Sequence, residues 1–408
     1  MRVMFYCQHV LGIGHWVRSS GIVHALASQA QVLLVNGGGE VAGFTFPSQV
    51  ELASLPPLQT DADFSALETR SSTETVEEIQ RQRKRMLLGL FERFQPDLLV
   101  IELFPFGRKR FAFELIPLLD RARVASSRPK IVCSLRDILV TKKDQQAYEK
   151  RVCQIVNSYF DLILVHGDPS FVRLEETFPC TAHLRCPVQY TGYVTQPTAP
   201  SNGPASVLAA DEEMVLNPAA PILASIGSGR YRNGHRLLKS VLQAGAELQG
   251  RVPNPFHIYA GPYIPDDVFA DLQQAAAGQQ NVRLAKFTPR FQTFMERAAL
   301  SISMGGYNTV MNVLRTGARA LIFPYTSNDD QEQMIRARKL EERGVIGLIH
   351  PADIEPGVLS GRILEALHRQ PIPIRLRLDG AEASAVMLGS FYHAPALQRA
   401  PETEGVAQ

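Results

Sequence analysis

Three glycine turns and one histidine hold most of the chemistry in this sequence. The first is "QHVLGIGHWVRSS", residues 8–20, where an apolar run ends, Gly12 and Gly14 flank an isoleucine, and a helical pattern opens at His15. Glycines there let the chain turn sharply and bring backbone N–H groups near a ligand. A neutral imidazole at the helix start is a candidate general base, with Arg18 one turn further on. The plainer role for His15 is a cap or a bond to backbone. A dinucleotide fingerprint wants a third glycine where Val17 stands, and an acid soon after the second strand. That strand ends in "NGGGE", with Glu40 beyond three glycines. The opening glycines therefore read as a loop that presents His15, not as a dinucleotide cradle.

The second turn is "SIGSGRYRNGH", residues 225–235. Gly227, Ser228 and Gly229 lie between a strand and a helix, so their N–H groups can meet a phosphate oxygen, and Arg230 or Arg232 adds positive charge. The Gly-Lys-Ser/Thr ending of a P-loop is absent. The third, residues 303–344, begins "SMGGYNTVMNVLRTG". Gly305 and Gly306 end a strand and open a helix that carries Tyr307, Asn308 and Thr309. Asn312 follows one turn later, with donor and acceptor groups suited to a ribose diol. Asp330, Gln331 and Glu332 then stand at another helix start, where they face sugar hydroxyls or serve as caps.

The surrounding pattern says what positions these turns. Apolar runs at 3–7, 32–35, 98–101, 131–134 and 162–165 alternate with helical stretches at 15–27, 73–94, 111–121 and 143–159. A second alternation runs from "PILASIG" through "FHIYAG", "VRLAKF", "LSISMGG" and "ALIFPY". Alternation of this kind predicts an α/β chain of two Rossmann-like, doubly wound domains facing across a cleft. The expected boundaries are 1–195, a linker at 196–220 rich in Pro, Ala and Ser, a second domain at 221–380, a helix at 381–395 and a disordered tail at 396–408. The length of 408 residues suits two domains. A net charge of +2 gives no reason to expect nucleic acid as a partner. No apolar run reaches bilayer length and no signal-like N-terminus is present, so a cytoplasmic protein is expected. Five cysteines do not make a disulfide scaffold. Cys180, His183 and Cys186 offer three ligands where a closed zinc site wants four, so no metal or other cofactor is expected.

At these residues the chain resembles GT-B glycosyltransferases of the branch that includes the peptidoglycan N-acetylglucosaminyltransferase. It is similar to predicted bacterial transferases sharing "QHVLGIGHWVR", "FPFGRKR", "SLRDI", "HGDP", "TGYV" and "MGGYNT". The resemblance implies a nucleotide-sugar donor, with UDP expected, bound mostly by the second domain. Gly227–Gly229 and Gly305–Thr309 would hold the diphosphate, and backbone at Phe287 and Thr288 would read the base. Gln331 and Glu332 would hold the sugar, with His15 on the acceptor side. It also implies inversion at the anomeric carbon without a metal. Where the branch generally carries a ribose-bonding glutamate this chain has Asn312, which turns a charge-assisted bond into a neutral one. Glu332 stands where some relatives have a second glutamine.

Rival readings are a nucleotide-sugar epimerase of the same fold, an NAD-dependent oxidoreductase, and a non-catalytic nucleotide-sugar binder. Asp137 and Glu114 are alternative acids on the first domain. Asp137 is expected to cap or to pair with Arg136, and Glu114 to lie on a surface helix. Leu87, Leu90, Phe91 and Phe94 form one stripe beside a basic cluster. That stripe either touches anionic lipid at the membrane inner face or packs on the sheet, the latter preferred because the sheet needs cover. Loops 36–46 and 56–72 would choose the acceptor, whose identity they do not disclose.

Overall fold

In the computed structural model, the described residues are 1–10, 14–41, 44–60, 67–69, 74–195, 219–227, 229, 232–288, 290–325, 331–355 and 357–395. Gly12, Ser228, Arg230, Asp330, most of the expected linker and the expected tail lie outside them. In chain order the elements are β1 (Arg2–Cys7), α1 (Gly14–Leu26), β2 (Gln31–Asn36), β3 (Val50–Ser54), β4 (Gln59–Thr60), β5 (Leu67–Glu68), α2 (Val76–Phe94) and β6 (Leu98–Glu102). They continue with α3 (Ala112–Val124), β7 (Lys130–Arg136), α4 (Gln145–Tyr159), β8 (Leu162–His166) and β9 (Val188–Tyr190). The second half holds β10 (Ile222–Ser225), α5 (Arg232–Glu247), β11 (Phe256–Tyr259), α6 (Asp266–Ala276), β12 (Val282–Ala285), α7 (Phe291–Arg297) and β13 (Leu300–Met304). It ends with α8 (Tyr307–Thr316), β14 (Ala320–Phe323), α9 (Glu332–Glu342), β15 (Gly347–Leu348), α10 (Val358–His368) and α11 (Gly380–His393).

Two parallel sheets result, as the alternation predicted. The first has seven strands in the order β3-β2-β1-β6-β7-β8-β9, the second six in the order β12-β11-β10-β13-β14-β15. Strands such as "VMFYC" and "LLVIE" are apolar on both faces and almost wholly buried, because helices cover both sides of a parallel sheet. Each order reverses at one place, between β1 and β6 and between β10 and β13. Ligands bind outside the carboxyl ends of strands at such reversals. The fold therefore sets the loop after β1 beside the end of β6, and the Gly227 turn beside the Gly305 turn.

Two further features tie the sheets together. Residues 192–194 and 377–380 run side by side: Tyr193 N donates to Arg377 O at 2.7 Å and Gly380 N to Tyr193 O at 3.0 Å. The approach demands glycine at 380, where an added Cβ would sit 2.4 Å from the carbonyl oxygen of Gly192. The last helix, α11, then returns to the first sheet. Its Ala381, Ala385 and Leu388 pack with Ile22, Val23 and Leu26 of α1. Lys130 Nζ donates to the carbonyls of Phe391 and Ala394, each at 2.6 Å, which satisfies the open C-terminal end of that helix.

The stripe on α2 packs inward. Leu87, Phe91 and Phe94 are buried in the first core, with Leu90 packed against it. No helix among the described residues is long and apolar enough to cross a membrane.

Candidate active site

His15 is the second residue of α1, and Glu102 closes β6 with no exposed surface. The switch point brings them together: His15 Nδ1 lies 2.6 Å from Glu102 Oε1. A carboxylate only accepts, so Nδ1 carries the proton and Nε2 keeps its lone pair. Arg18, one helical turn along, donates to the same oxygen. The histidine side chain retains 19% exposure, enough for a ligand to reach it. Burial lowers His15 to about 4, reinforced by Arg108 and Arg18 and only partly opposed by Glu102. Despite its own burial, Glu102 is held well below the usual carboxylate range by His15, Arg18 and Arg108. The pair is thus a neutral imidazole oriented by an ionised carboxylate.

The second domain supplies the opposite wall. Helix α8 begins at Tyr307 after Gly306, and no side chain caps it. Its first-turn N–H groups, at Tyr307, Asn308 and Thr309, have no acceptor within the helix, which makes an anion-binding end. That end meets the start of α1: a Cβ added at Gly14 would stand 3.5 Å from Asn308 Nδ2. Tyr307 is taken up by the junction. Its hydroxyl accepts from Val194 N at 3.1 Å, and the guanidinium carbons of Arg18 and Arg336 each lie 5.3 Å from its ring centre.

A buried charge network crosses between the domains at the same level. Arg336 Nη2 donates to Asp137 Oδ1 at 2.8 Å and to Glu332 Oε1 at 2.9 Å. Arg136 Nη1 donates to Glu332 Oε2 at 2.5 Å. Asp137 therefore pairs with Arg336 of the other domain, not with its neighbour Arg136, because consecutive strand-end residues point to opposite sides. Arg136 instead reaches Glu332, whose carboxyl is lowered to about 2 by both arginines in spite of burial. Glu114 is also corrected. It is fully buried, with Arg83 Nε donating to Oε2 at 2.9 Å and Nη2 to Oε1 at 2.6 Å. Arg83 further binds the carbonyls of Gly37 and Pro56, each at 2.7 Å, so this pair fastens the loops after β2 and β3 beneath the cleft.

Of the remaining candidates, Gly227 and Gly229 adopt φ of 68° and 85°, a region that favours glycine. A Cβ at Gly229 would lie 2.6 Å from Ala260 O, so glycine is required there. The Gly227 N–H donates to Ser225 Oγ at 3.2 Å and the Gly305 N–H to Phe323 O at 3.2 Å. Asn312 stands one turn after Asn308, is 6% exposed, and its Oδ1 has no partner among the described residues. Phe287 is 62% exposed, whereas Thr288 is buried with its Oγ1 accepting from Arg290 N at 3.1 Å. Gln331 is exposed at the start of α9. Among the described residues no group of three or more His, Cys, Asp or Glu side chains is arranged for a metal, and Cys180, His183 and Cys186 form none. Glu102 was not anticipated from the sequence. Its signal was there, as an acid ending an otherwise apolar strand run, "LLVIE", at the carboxyl edge where ligands bind.

The two facing, doubly wound sheets define the GT-B fold, and the solved structures similar to this chain agree. CalG4, the calicheamicin glycosyltransferase, is 16% identical, with 96% of this chain and 94% of that chain covered and a TM-score of 0.56. A protein from Listeria monocytogenes described as a UDP-N-acetylglucosamine 2-epimerase is 12% identical, with 96% and 95% covered and a TM-score of 0.63. More particularly, residues 233–374 match the family model described as "Glycosyltransferase family 28 C-terminal domain". A 97-residue stretch is 24% identical to the UDP-N-acetylglucosamine–N-acetylmuramyl-(pentapeptide) pyrophosphoryl-undecaprenol N-acetylglucosamine transferase of Rubrobacter xylanophilus, spanning 24% of this chain and 29% of that relative. The second domain is thus a glycosyltransferase-family domain carrying the α8 terminus, Asn312 and Glu332.

Proposed function

We propose that the protein is a glycosyltransferase that moves a sugar from a nucleotide-diphosphate donor, a UDP-sugar, to a hydroxyl-bearing acceptor, with inversion and without a metal. The observation that carries this reading is the His15–Glu102 pair facing the uncapped end of α8 across the cleft. In the proposed step, Nε2 of His15 takes the acceptor proton as the acceptor oxygen attacks the anomeric carbon. The bond to the diphosphate oxygen breaks on the opposite face, and the diphosphate leaves with the electron pair. The α8 N–H groups and nearby arginines stabilise its developing charge. Glu102 holds the imidazole in its tautomer and supports the imidazolium that forms.

For the donor, we assign the diphosphate to Gly227–Gly229 and residues 305–309, the base to backbone at Phe287 and Thr288, and the ribose to Asn312. Gln331 and Glu332 are assigned to the sugar. Glu332 already accepts from two arginines, so exposed Gln331 is the freer reader of hydroxyls. The relative's printed name supports UDP as the nucleotide. Any membrane contact of the first domain rests on exposed basic residues, because the apolar stripe of α2 lies in the core.

The test is thermal unfolding with UDP, dTDP, GDP, ADP, CDP and NAD, followed by product analysis with the donor so named. A transferase releases nucleoside diphosphate in an acceptor-dependent way. The likeness to an epimerase keeps a second reading: sugar altered with no acceptor present. Stabilisation by NAD alone would overturn the transferase reading.

A further inference from the structure

Among the described residues four arginines line the cleft, and three are in ion pairs. Arg18 binds Glu102, Arg136 binds Glu332, and Arg336 binds Asp137 and Glu332. Arg108 is the exception. Among the described residues no carboxylate lies within ion-pair distance of it, and its Nε, like those of Arg18 and Arg136, is shielded from water without a hydrogen-bond partner. Arg18, Arg83 and Arg336 are held above the ordinary arginine value by their partners despite burial, whereas burial lowers Arg108. Arg108 is half-buried, and a charge partly withdrawn from water with no carboxylate beside it is one that a bound anion would complete.

Backbone geometry points the same way. Arg108 has φ of 57°, and Leu103, at the other end of the same loop, has φ of 65°. Non-glycine residues are strained in that region, and such strain concentrates at ligand clamps. The loop follows β6, so Arg108 belongs to the first-domain wall. Its charge acts on His15, Glu102, His9 and Cys7, all at the carboxyl ends of β1 and β6.

We propose that Arg108 binds an oxyanion, a phosphate or carboxylate carried by the acceptor, on the first-domain side of the cleft beside His15. The word acceptor rests on the function proposed above; the oxyanion site does not. The donor diphosphate has its own N–H groups on the opposite wall, so the unpaired arginine serves the other substrate. A consequence follows for the base. His15 faces Glu102 from β6, Arg18 from its own helix, Arg108 from the loop and Glu332 from α9. An anion on Arg108 offsets one of the two positive charges that weaken the imidazole, so a charged acceptor strengthens the base that will deprotonate it.

The experiment titrates inorganic phosphate against the full chain saturated with UDP, with ionic strength held constant by chloride. Wild type is compared with Arg108→Gln, Arg108→Ala and Arg108→Lys, and binding is read by thermal unfolding and by the His15 ring resonances. The expected result is a loss of phosphate affinity of about tenfold or more in the Gln and Ala variants, with most retained in Lys and UDP affinity unchanged in all. Phosphate should raise the His15 pKa in wild type and not in Arg108→Gln. A response to malonate in place of phosphate also supports the site and names a carboxylate. Equal phosphate binding by wild type and Arg108→Gln, or no phosphate response in wild type, overturns the proposal. So does loss of UDP binding in Arg108→Gln with phosphate binding intact, which would assign Arg108 to the donor. If UDP binds no variant yet phosphate binding still depends on Arg108, the donor reading fails while the oxyanion site stands.

Discussion

Asp137 and Arg336 are 199 positions apart in the chain and 2.8 Å apart in the cleft, neither with any exposed surface. One directly follows β7 of the first domain and the other lies on α9 of the second, so the contact holds the two walls in register. Removing one partner strands the other charge in the interior. Asp137→Ala should therefore cost about 3–5 kcal/mol. The paired change Asp137→Leu with Arg336→Met should recover much of that. Urea unfolding of the two variants checks this, and a loss below about 1 kcal/mol for the single change would show the pair to be incidental.

The His15–Glu102 pair predicts correlated losses in activity. His15→Ala should lower kcat by about 10²–10⁴-fold at saturating acceptor. Glu102→Gln should lower it in the same direction, because an amide can donate to Nδ1 and favour the wrong tautomer. In the double variant the two losses should fall well short of multiplying, since the residues act as one unit. Near-normal turnover in His15→Ala would remove it as the base.

Acid should destabilise the protein through its histidines before its carboxylates. Burial pushes His15 and His257 down to about 4 and His166 to about 3. In the unfolded chain each titrates near about 6.5. Between those values the unfolded chain binds protons that the native state does not, so stability falls as pH drops from about 6.5 toward 4. The slope is up to roughly 1.4 kcal/mol per pH unit for each histidine. Glu332, lowered to about 2, acts with the same sign but only below its unfolded value of about 4.3. Urea unfolding between pH 7 and pH 5 measures this, and a flat profile would contradict neutral burial of the three rings.

Asn312 separates binding from stability. Its Oδ1 has no partner to lose among the described residues, so Asn312→Ala should change unliganded stability by less than about 1 kcal/mol. If the ribose meets this side chain, the same variant should bind UDP about tenfold more weakly. Calorimetric titration decides it; unchanged UDP affinity would move the ribose elsewhere.

The architecture was readable because periodicity reports burial: apolar runs such as "LLVIE" and "LILVH" announce strands covered on both faces. Short or half-exposed strands gave no such signal, as with β3, whose residues are mostly exposed or half-buried, and the two-residue β15. His15 and the glycine turns were legible because they sit next to their own turns in sequence. Glu102, Asp137 and Arg108 were not, since their partners or their lack of one come from distant segments. Glu114 misled for the same reason: a helical acid looks solvated until Arg83 from another helix is seen to cover it.

The return of α11 onto α1 has a bearing on how the molecule is made. Ile22, Val23 and Leu26 find part of their cover in residues 381–388, and among the described residues Lys130 finds its acceptors at 391–394. A ribosome emits these partners only after the whole second domain. The domain that precedes the other is therefore completed after it, and until then it shows an apolar helix face that a chaperone can hold.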